Sequence, residues 1–249
     1  MVSETEIMIR DCASLDDFQQ CVTVQQSVWG FEDKDLAPLR LFVVAHKIEG
    51  QVLGAFEPSG RMIGFCLALP ALRGSAVYLH SHMLAVLPEY RERGLGRRLK
   101  FEQRRKALEK GIGLVEWTFD PFELKNAHFN LERLGAVARR YVPNQYGISS
   151  SPLHRGLPTD RLVAEWWLES PRVVARGARE AAVGDAVHRR IVVPIEIAEI
   201  RGQDEKAAEF QLELRRQFQE AFAGGLAAVG FEISKTTGTY LLGPWAGAE

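Results

Sequence analysis

A chain of 249 residues, 46% hydrophobic and 25% charged, is long enough for one sizeable core or for a domain with an extension. Its formal net charge of -1 and pI near 6.6 exclude a global field for nucleic acid or for an anionic membrane surface. The three cysteines, Cys12, Cys21 and Cys66, are scattered and form no C-x-x-C pair, which argues against a disulfide framework or structural zinc and suits a reducing compartment.

The first residues hold Glu4 and Glu6 rather than the apolar stretch of a signal peptide. No apolar run approaches a membrane span, so the expected location is the cytoplasm. Residues 6–10 read as a short strand. Ser14 with Asp17 three residues on marks a helix start, and Phe18, Cys21, Val22, Gln25 and Val28 follow at helical spacing. Pro38 opens a second helix through Leu41, Val44 and Ala45 that stops near Gly50. Residues 52–57 and 61–68 form a hairpin around Pro58-Ser59-Gly60, and a third strand spans 76–86, ended by Pro88. A helix follows Gly96 to about Lys110, then a strand at 114–119 and a turn at Asp120-Pro121. Residues 126–134 read as helix, and 139–145 and 161–168 as two more strands. Residues 171–190 read as a linker or mobile loop. A strand at 191–200, a helix at 204–222 with Ala208, Leu212, Arg215 and Phe218 near one face, and a hairpin at 231–242 complete the chain. The order predicts an α/β fold with a mixed sheet, and an extension beyond about residue 190 that docks on the main domain.

The segment Val86-Leu87-Pro88-Glu89-Tyr90-Arg91-Glu92-Arg93-Gly94-Leu95-Gly96-Arg97 runs from an apolar strand through a basic, glycine-containing loop into a helix. Gly94 and Gly96 permit a sharp turn close to a ligand, and amides at the helix start point at an anion. The basic run Arg97, Arg98, Lys100, Arg104, Arg105, Lys106 reads as a solvated helix face, of which only the first residue or two can reach a phosphate.

These motifs, V-x-P-x-x-R-x-x-G-x-G and later Asn126-Ala127-His128-Phe129-Asn130-Leu131-Glu132-Arg133-Leu134-Gly135, resemble the GCN5-related N-acetyltransferase (GNAT) superfamily over roughly residues 6–170. The resemblance implies a mixed, mostly antiparallel central sheet flanked by helices, with residues 1–170 as the acyl-CoA-binding catalytic domain and 191–249 as a small α+β C-terminal extension. It implies acetyl-CoA, or another acyl-CoA, as donor, and direct transfer to an amine through a tetrahedral intermediate. The backbone of Leu84, Ala85 and Val86 would bind the pantetheine arm as a strand does. Amides of Arg91, Glu92, Arg93, Gly94, Leu95 and Gly96 would cradle the pyrophosphate, with Arg91, Arg93 and Arg97 adding charge. Asn126 would contact a distal part of the cofactor. Asn130 occupies the position of the superfamily's usual thiolate acid, a tyrosine, and is expected to bind rather than protonate. Tyr141, Tyr146 or water remain as acids.

Amine acetylation needs a base. On a regular strand His80, His82, Leu84 and Val86 share one face, and an imidazole suits base work near neutral pH. The pair resembles the strand histidines of arylalkylamine N-acetyltransferases, which pass the amine proton through water. No metal is expected, because His80-x-His82 lacks a third ligand beyond a chance Asp120. Asp120 ends its strand either as a turn cap or as a substrate ligand. Trp29 and Phe31 follow the first helix, as core residues or as walls of the acceptor pocket. Asp160 and Arg161 pair with each other or bind substrate. The expected acceptor is a small-molecule amine, with a peptide acceptor or a non-catalytic acyl-CoA-binding module as alternatives. Neither nucleic acid nor membrane is an expected partner, and a homodimer is compatible with the sequence.

Overall fold

The computed structural model describes residues 6–30, 36–147, 157–180, 186–200 and 205–246, with side chains at 198–200 excepted. The chain divides into two compact units, Met1–Val115 and Glu116–Glu249. It runs through β1 (Met8–Asp11), α1 (Leu15–Trp29), α2 (Leu39–Lys47), β2 (Gln51–Phe56), β3 (Met62–Arg73), β4 (Ala76–Val86), α3 (Leu95–Glu109), β5 (Leu114–Phe119), α4 (Leu124–His128), β6 (Val137–Val142), β7 (Arg161–Trp167), α5 (Pro171–Ala178), β8 (Arg189–Pro194), α6 (Ile195–Ile200), α7 (Glu205–Ala223), β9 (Leu226–Ile233) and β10 (Thr237–Pro244). This is the mixed α/β, mostly antiparallel layout that the sequence implies.

In the first unit, β1, β2, β3 and β4 form an antiparallel ladder in that order. The start of α1 is fixed by a reciprocal cap: Ser14 Oγ accepts from the Asp17 amide at 3.1 Å, and Asp17 accepts from the Ser14 amide at 3.3 Å. Arg10 donates to the same carboxylate at 2.8 and 3.0 Å, which, with the Ala13 and Ser14 amides, holds the Asp17 pKa well below the usual carboxylate range. In α2, Phe42 and Ala45 are buried while Val44 is exposed, so its apolar face is turned from the one the sequence spacing gives. Phe42 packs edge-on against Phe65 at 5.6 Å, and Gln103 of α3 donates to Cys66 Sγ at 3.0 Å. Residues 65 and 66 point to opposite faces of β3, so helices cover both sides of this ladder.

In the second unit the strand order is β5-β7-β6-β9-β10-β8, and the pairs β6–β7, β6–β9, β9–β10 and β10–β8 are antiparallel. Here α7 buries Ala207, Gln211, Leu214, Phe218 and Ala221, and Leu212 is exposed, so the expected face is corrected by about one residue's rotation. Phe218 stacks on Tyr141 at 5.7 Å and meets Tyr240 edge-on at 5.0 Å. The stretch 171–190 contains helix α5, whose Val173 is fully buried, rather than loop throughout. Residues 191–200 do not form one strand: β8 ends at Pro194 and helix α6 follows. A proline cannot extend a ladder through its missing N–H, and its fixed φ suits a helix start.

Candidate active site

Strand β4 carries the two histidines and the expected pantetheine-binding backbone. It pairs with β3 in register from Arg73↔Ala76 to Leu69↔His80 and Ala68↔Ser81, then resumes at Leu67↔Met83 and continues to Gly64↔Val86. His82 is therefore the extra residue of a β-bulge. The bulge corrects the expectation that His80, His82, Leu84 and Val86 share a face. Cross-strand partners lie on the same side of a ladder, so His80, opposite Leu69, faces away from Leu84, opposite Cys66, and Val86, opposite Gly64. His80 is half-buried and His82 exposed, with ring centroids 6.2 Å apart. The protein packed around His82, followed by the charge of His80, lowers the His82 pKa below the ordinary imidazole value.

After β4 a 3-10 turn at Pro88–Tyr90 leads into the basic loop. Arg91 folds back, its Nε donating to the Val86 carbonyl at 3.1 Å. Glu92 has φ 62° and Gly94 φ 73°, both left-handed, and α3 begins at Leu95. With Arg91 extended, the two left-handed residues turn the chain sharply onto the N-terminus of α3, whose first amides have no intrahelical partner and favour an anion, making this turn a candidate phosphate nest. A Cβ at Gly94 would meet no atom within 4 Å, so glycine is required there by conformation, not by space. Gly96 lies within α3 and does not take a left-handed conformation. The Arg93 guanidinium lies over Tyr90 at 5.7 Å and that of Arg97 over Phe101 at 4.4 Å, which holds both side chains beside the loop. Trp29 ends α1, partly buried against the core of this unit, and Phe31 lies outside the described residues.

In the second unit, α4 passes into a π-helical turn at Phe129–Arg133, where the Leu134 amide bonds the Phe129 carbonyl at 3.0 Å. Such turns shift the phase of a helix and recur at functional sites. Asn126 is exposed, whereas Asn130 is 2% exposed and its Nδ2 is buried without a hydrogen-bond partner. An unmet buried donor costs about 1–3 kcal/mol, so this amide fits a ligand acceptor. In the first unit the helix start after Gly94 has the chemistry to hold a phosphate, and in the second the Asn130 amide suits an oxygen or sulfur acceptor.

Asp120 Oδ1 accepts from the Phe122 amide at 2.8 Å, a turn cap, and Oδ2 lies 3.9 Å from Arg161 Nη1. Asp160 pairs with Arg215 rather than with Arg161, through two 2.9 Å bonds, and also accepts from the Tyr141 hydroxyl at 2.7 Å and the Asn144 amide at 2.9 Å. Burial and the neighbouring Asp160 raise the Tyr141 pKa far above that of an ordinary phenol, so Tyr141 is a structural donor. Tyr146 is exposed and shares a 2.8 Å hydrogen bond with Thr118. Among the described residues no cluster of His, Cys, Asp and Glu could hold a metal ion.

The sequence reading also missed Lys100. It is 2% exposed and lies on the inner face of α3 with Leu99, Gln103 and Ala107, not on the solvated basic face. The apolar spacing Leu95, Leu99, Ala107 brackets that position and was the available signal.

The bulged strand that leads into a sharp left-handed turn and a helix start is the arrangement the sequence expects of an acetyltransferase domain. Residues 15–136 match the family described as Acetyltransferase (GNAT) family, and the chain carries an acetyltransferase domain of that family. No curated protein sequence matches the chain. Among solved structures, the ribosomal-protein alanine N-acetyltransferase of Escherichia coli is 15% identical with a TM-score of 0.53, covering 66% of this chain and 95% of its own. A GNAT-family acetyltransferase from Streptococcus pneumoniae is 18% identical with a TM-score of 0.51, covering 64% and 98%. The yncA structure from Salmonella typhimurium, solved with acetyl-CoA, is 17% identical with a TM-score of 0.50, covering 72% and 98%. At these identities the likeness is one of fold.

Proposed function

We propose that this acetyltransferase uses acetyl-CoA to acetylate a small-molecule amine, with His82 as the base. The carrying observation is the β4 bulge, which sets an imidazole of lowered pKa on the strand that leads into the phosphate nest. When bound, acetyl-CoA supplies an activated acetyl group. The nest at Arg91–Gly96 holds the pyrophosphate, and Arg93 and Arg97 add charge beside it. The backbone of Leu84, Ala85 and Val86 takes the pantetheine arm as a strand would, and Asn126 meets a distal part of the cofactor. Asn130 offers its unmet amide N–H to the thioester end.

A lowered pKa leaves His82 neutral at physiological pH, ready to take a proton from the amine. The 6.2 Å spacing to His80 leaves room for one bridging water, through which the proton passes on. Trp29, at the end of α1, is a candidate for the acceptor side, and so, in the second unit, is Asp120. The three cysteines are free and buried, which supports a reducing, cytoplasmic setting; among the described residues no helix is long and apolar enough to cross a membrane.

The test is thiol release from acetyl-CoA over a panel of amines and of peptides. Turnover with a free amine that His82→Ala lowers roughly a hundredfold supports the reading. Turnover confined to peptides moves the acceptor class to polypeptides, and binding without any turnover overturns catalysis.

A further inference from the structure

Directly beneath the β4 bulge lies a closed polar ring buried between α3 and the sheet. Lys100 Nζ donates to Ser81 Oγ at 3.1 Å and to Gln103 Oε1 at 2.5 Å. Gln103 Nε2 donates to Cys66 Sγ at 3.0 Å, and Cys66 Sγ returns to Ser81 Oγ at 3.9 Å. Gln51 of β2 donates to the main-chain carbonyl of Gln103 at 3.2 Å. All five side chains are buried. Ser81 is the last residue in register before the extra residue His82.

A bulge competes with a plain ladder one residue out of register, and such a slip moves each side chain beyond it to the other face. A charged donor clamped on the residue before the bulge opposes that slip. The other lysines near the end of α3 do surface work: Lys106 pairs with Asp11 at 2.7 Å and Lys110 with Glu49 at 2.7 Å. In the ring Lys100 donates to a hydroxyl and to an amide oxygen. Burying an ammonium this way is unfavourable, and burial pushes its pKa down to about 8. A methionine would fill the same volume without that cost.

We propose that Lys100 is a positioning residue for His82: through Ser81 it holds the β4 bulge in the register that presents His82 to the acceptor amine. The proposal rests on the reading of His82 as the base, and it assigns Lys100 no contact with substrate. It also joins the helix that forms the phosphate nest to the strand that carries the base.

The experiment uses the full chain with isotope-labelled histidine, comparing wild type with Lys100→Met, Ser81→Ala, Ser81→Thr and Lys106→Met. In Lys100→Met and Ser81→Ala the NMR titration midpoint of His82 moves by about 0.5 pH unit or more. In the same variants kcat falls roughly tenfold while KM for acetyl-CoA stays within about twofold. Ser81→Ala keeps the ammonium, so its shift reports the lost clamp and not a lost charge. Ser81→Thr keeps the hydroxyl and restores both readouts, and Lys106→Met changes neither. A folded Ser81→Ala protein with an unmoved His82 midpoint overturns the proposal. If Lys100→Met does not fold, Ser81→Ala and Ser81→Thr decide it. If wild type transfers acetyl to no acceptor, the base assignment falls, while the NMR arm still decides whether the clamp places His82.

Discussion

Replacing Lys100 by methionine changes the pH dependence of stability in a calculable way. The folded lysine titrates at about 8 against 10.5 for an ordinary one, because burial disfavours its charge. Below pH 8 the ammonium is charged in both folded and unfolded chains, and the folded state bears a penalty of roughly 3 kcal/mol at about 1.4 kcal/mol per pH unit. Between pH 8 and 10.5 the unfolded chain binds the extra proton, so stability rises with pH and the penalty vanishes above that window. Lys100→Met removes the whole effect. It also takes the lysine donor from Ser81 Oγ and Gln103 Oε1, a loss of about 1–3 kcal/mol that does not vary with pH. Urea denaturation of both proteins at pH 7, 8, 9, 10 and 10.5 gives the stability difference at each pH. Tyrosines common to both proteins cancel in that difference. The variant's advantage over wild type should shrink by roughly 3 kcal/mol across the window. A difference that stays flat would refute a buried ammonium at this position.

Four further outcomes follow from the geometry. Gly94→Ala must hold a left-handed φ of 73° with a side chain, so it should lose about 1 kcal/mol of stability and weaken acetyl-CoA binding roughly tenfold by calorimetry. The acid limb of kcat/KM should fall below the ordinary histidine pKa, since rate is lost as His82 gains a proton; His80→Ala removes one of the two lowering causes and should move that limb upward. Asp160→Ala leaves the Arg215 guanidinium and the Tyr141 hydroxyl without their carboxylate and should cost about 3–5 kcal/mol in thermal or chemical denaturation. Asn130→Ala deletes an unmet buried donor, so the free protein should be within about 1 kcal/mol of wild type while the rise in Tm given by acetyl-CoA becomes smaller.

Much of this fold is legible in local pattern. The strands at 76–86 and 114–119 and the cap at Ser14 depend on alternation and on one side-chain-to-amide bond, both visible in the sequence. The sharp turn into α3 is legible for the same reason: Gly94 and the helix start lie within a few residues of each other. What was not legible depends on partners far along the chain. The bulge at His82 exists only in relation to the Leu67–Ala68 step of β3, so the strand taken alone gives the wrong face for His80. The burial of Lys100 depends on Ser81 of β4, 19 residues away, and on Gln103, itself held by Cys66 of β3, supplying polar partners. The sequence offers Asp160 either its neighbour Arg161 or a substrate, whereas its carboxylate is met by Arg215, 55 residues away. The π-helical turn that separates exposed Asn126 from buried Asn130 likewise has no mark in an N-x-x-x-N spacing that suits an ordinary helix.

Isothermal titration of the full chain with acetyl-CoA, read beside the same titration of Gly94→Ala, tests the central claim most directly. Wild type should bind one acetyl-CoA per chain with a Kd in the range of about 1 μM to 1 mM, and Gly94→Ala should bind roughly tenfold more weakly. Absence of binding at millimolar acetyl-CoA, or equal affinity in the two proteins, would contradict a donor site built on the nest between β4 and α3.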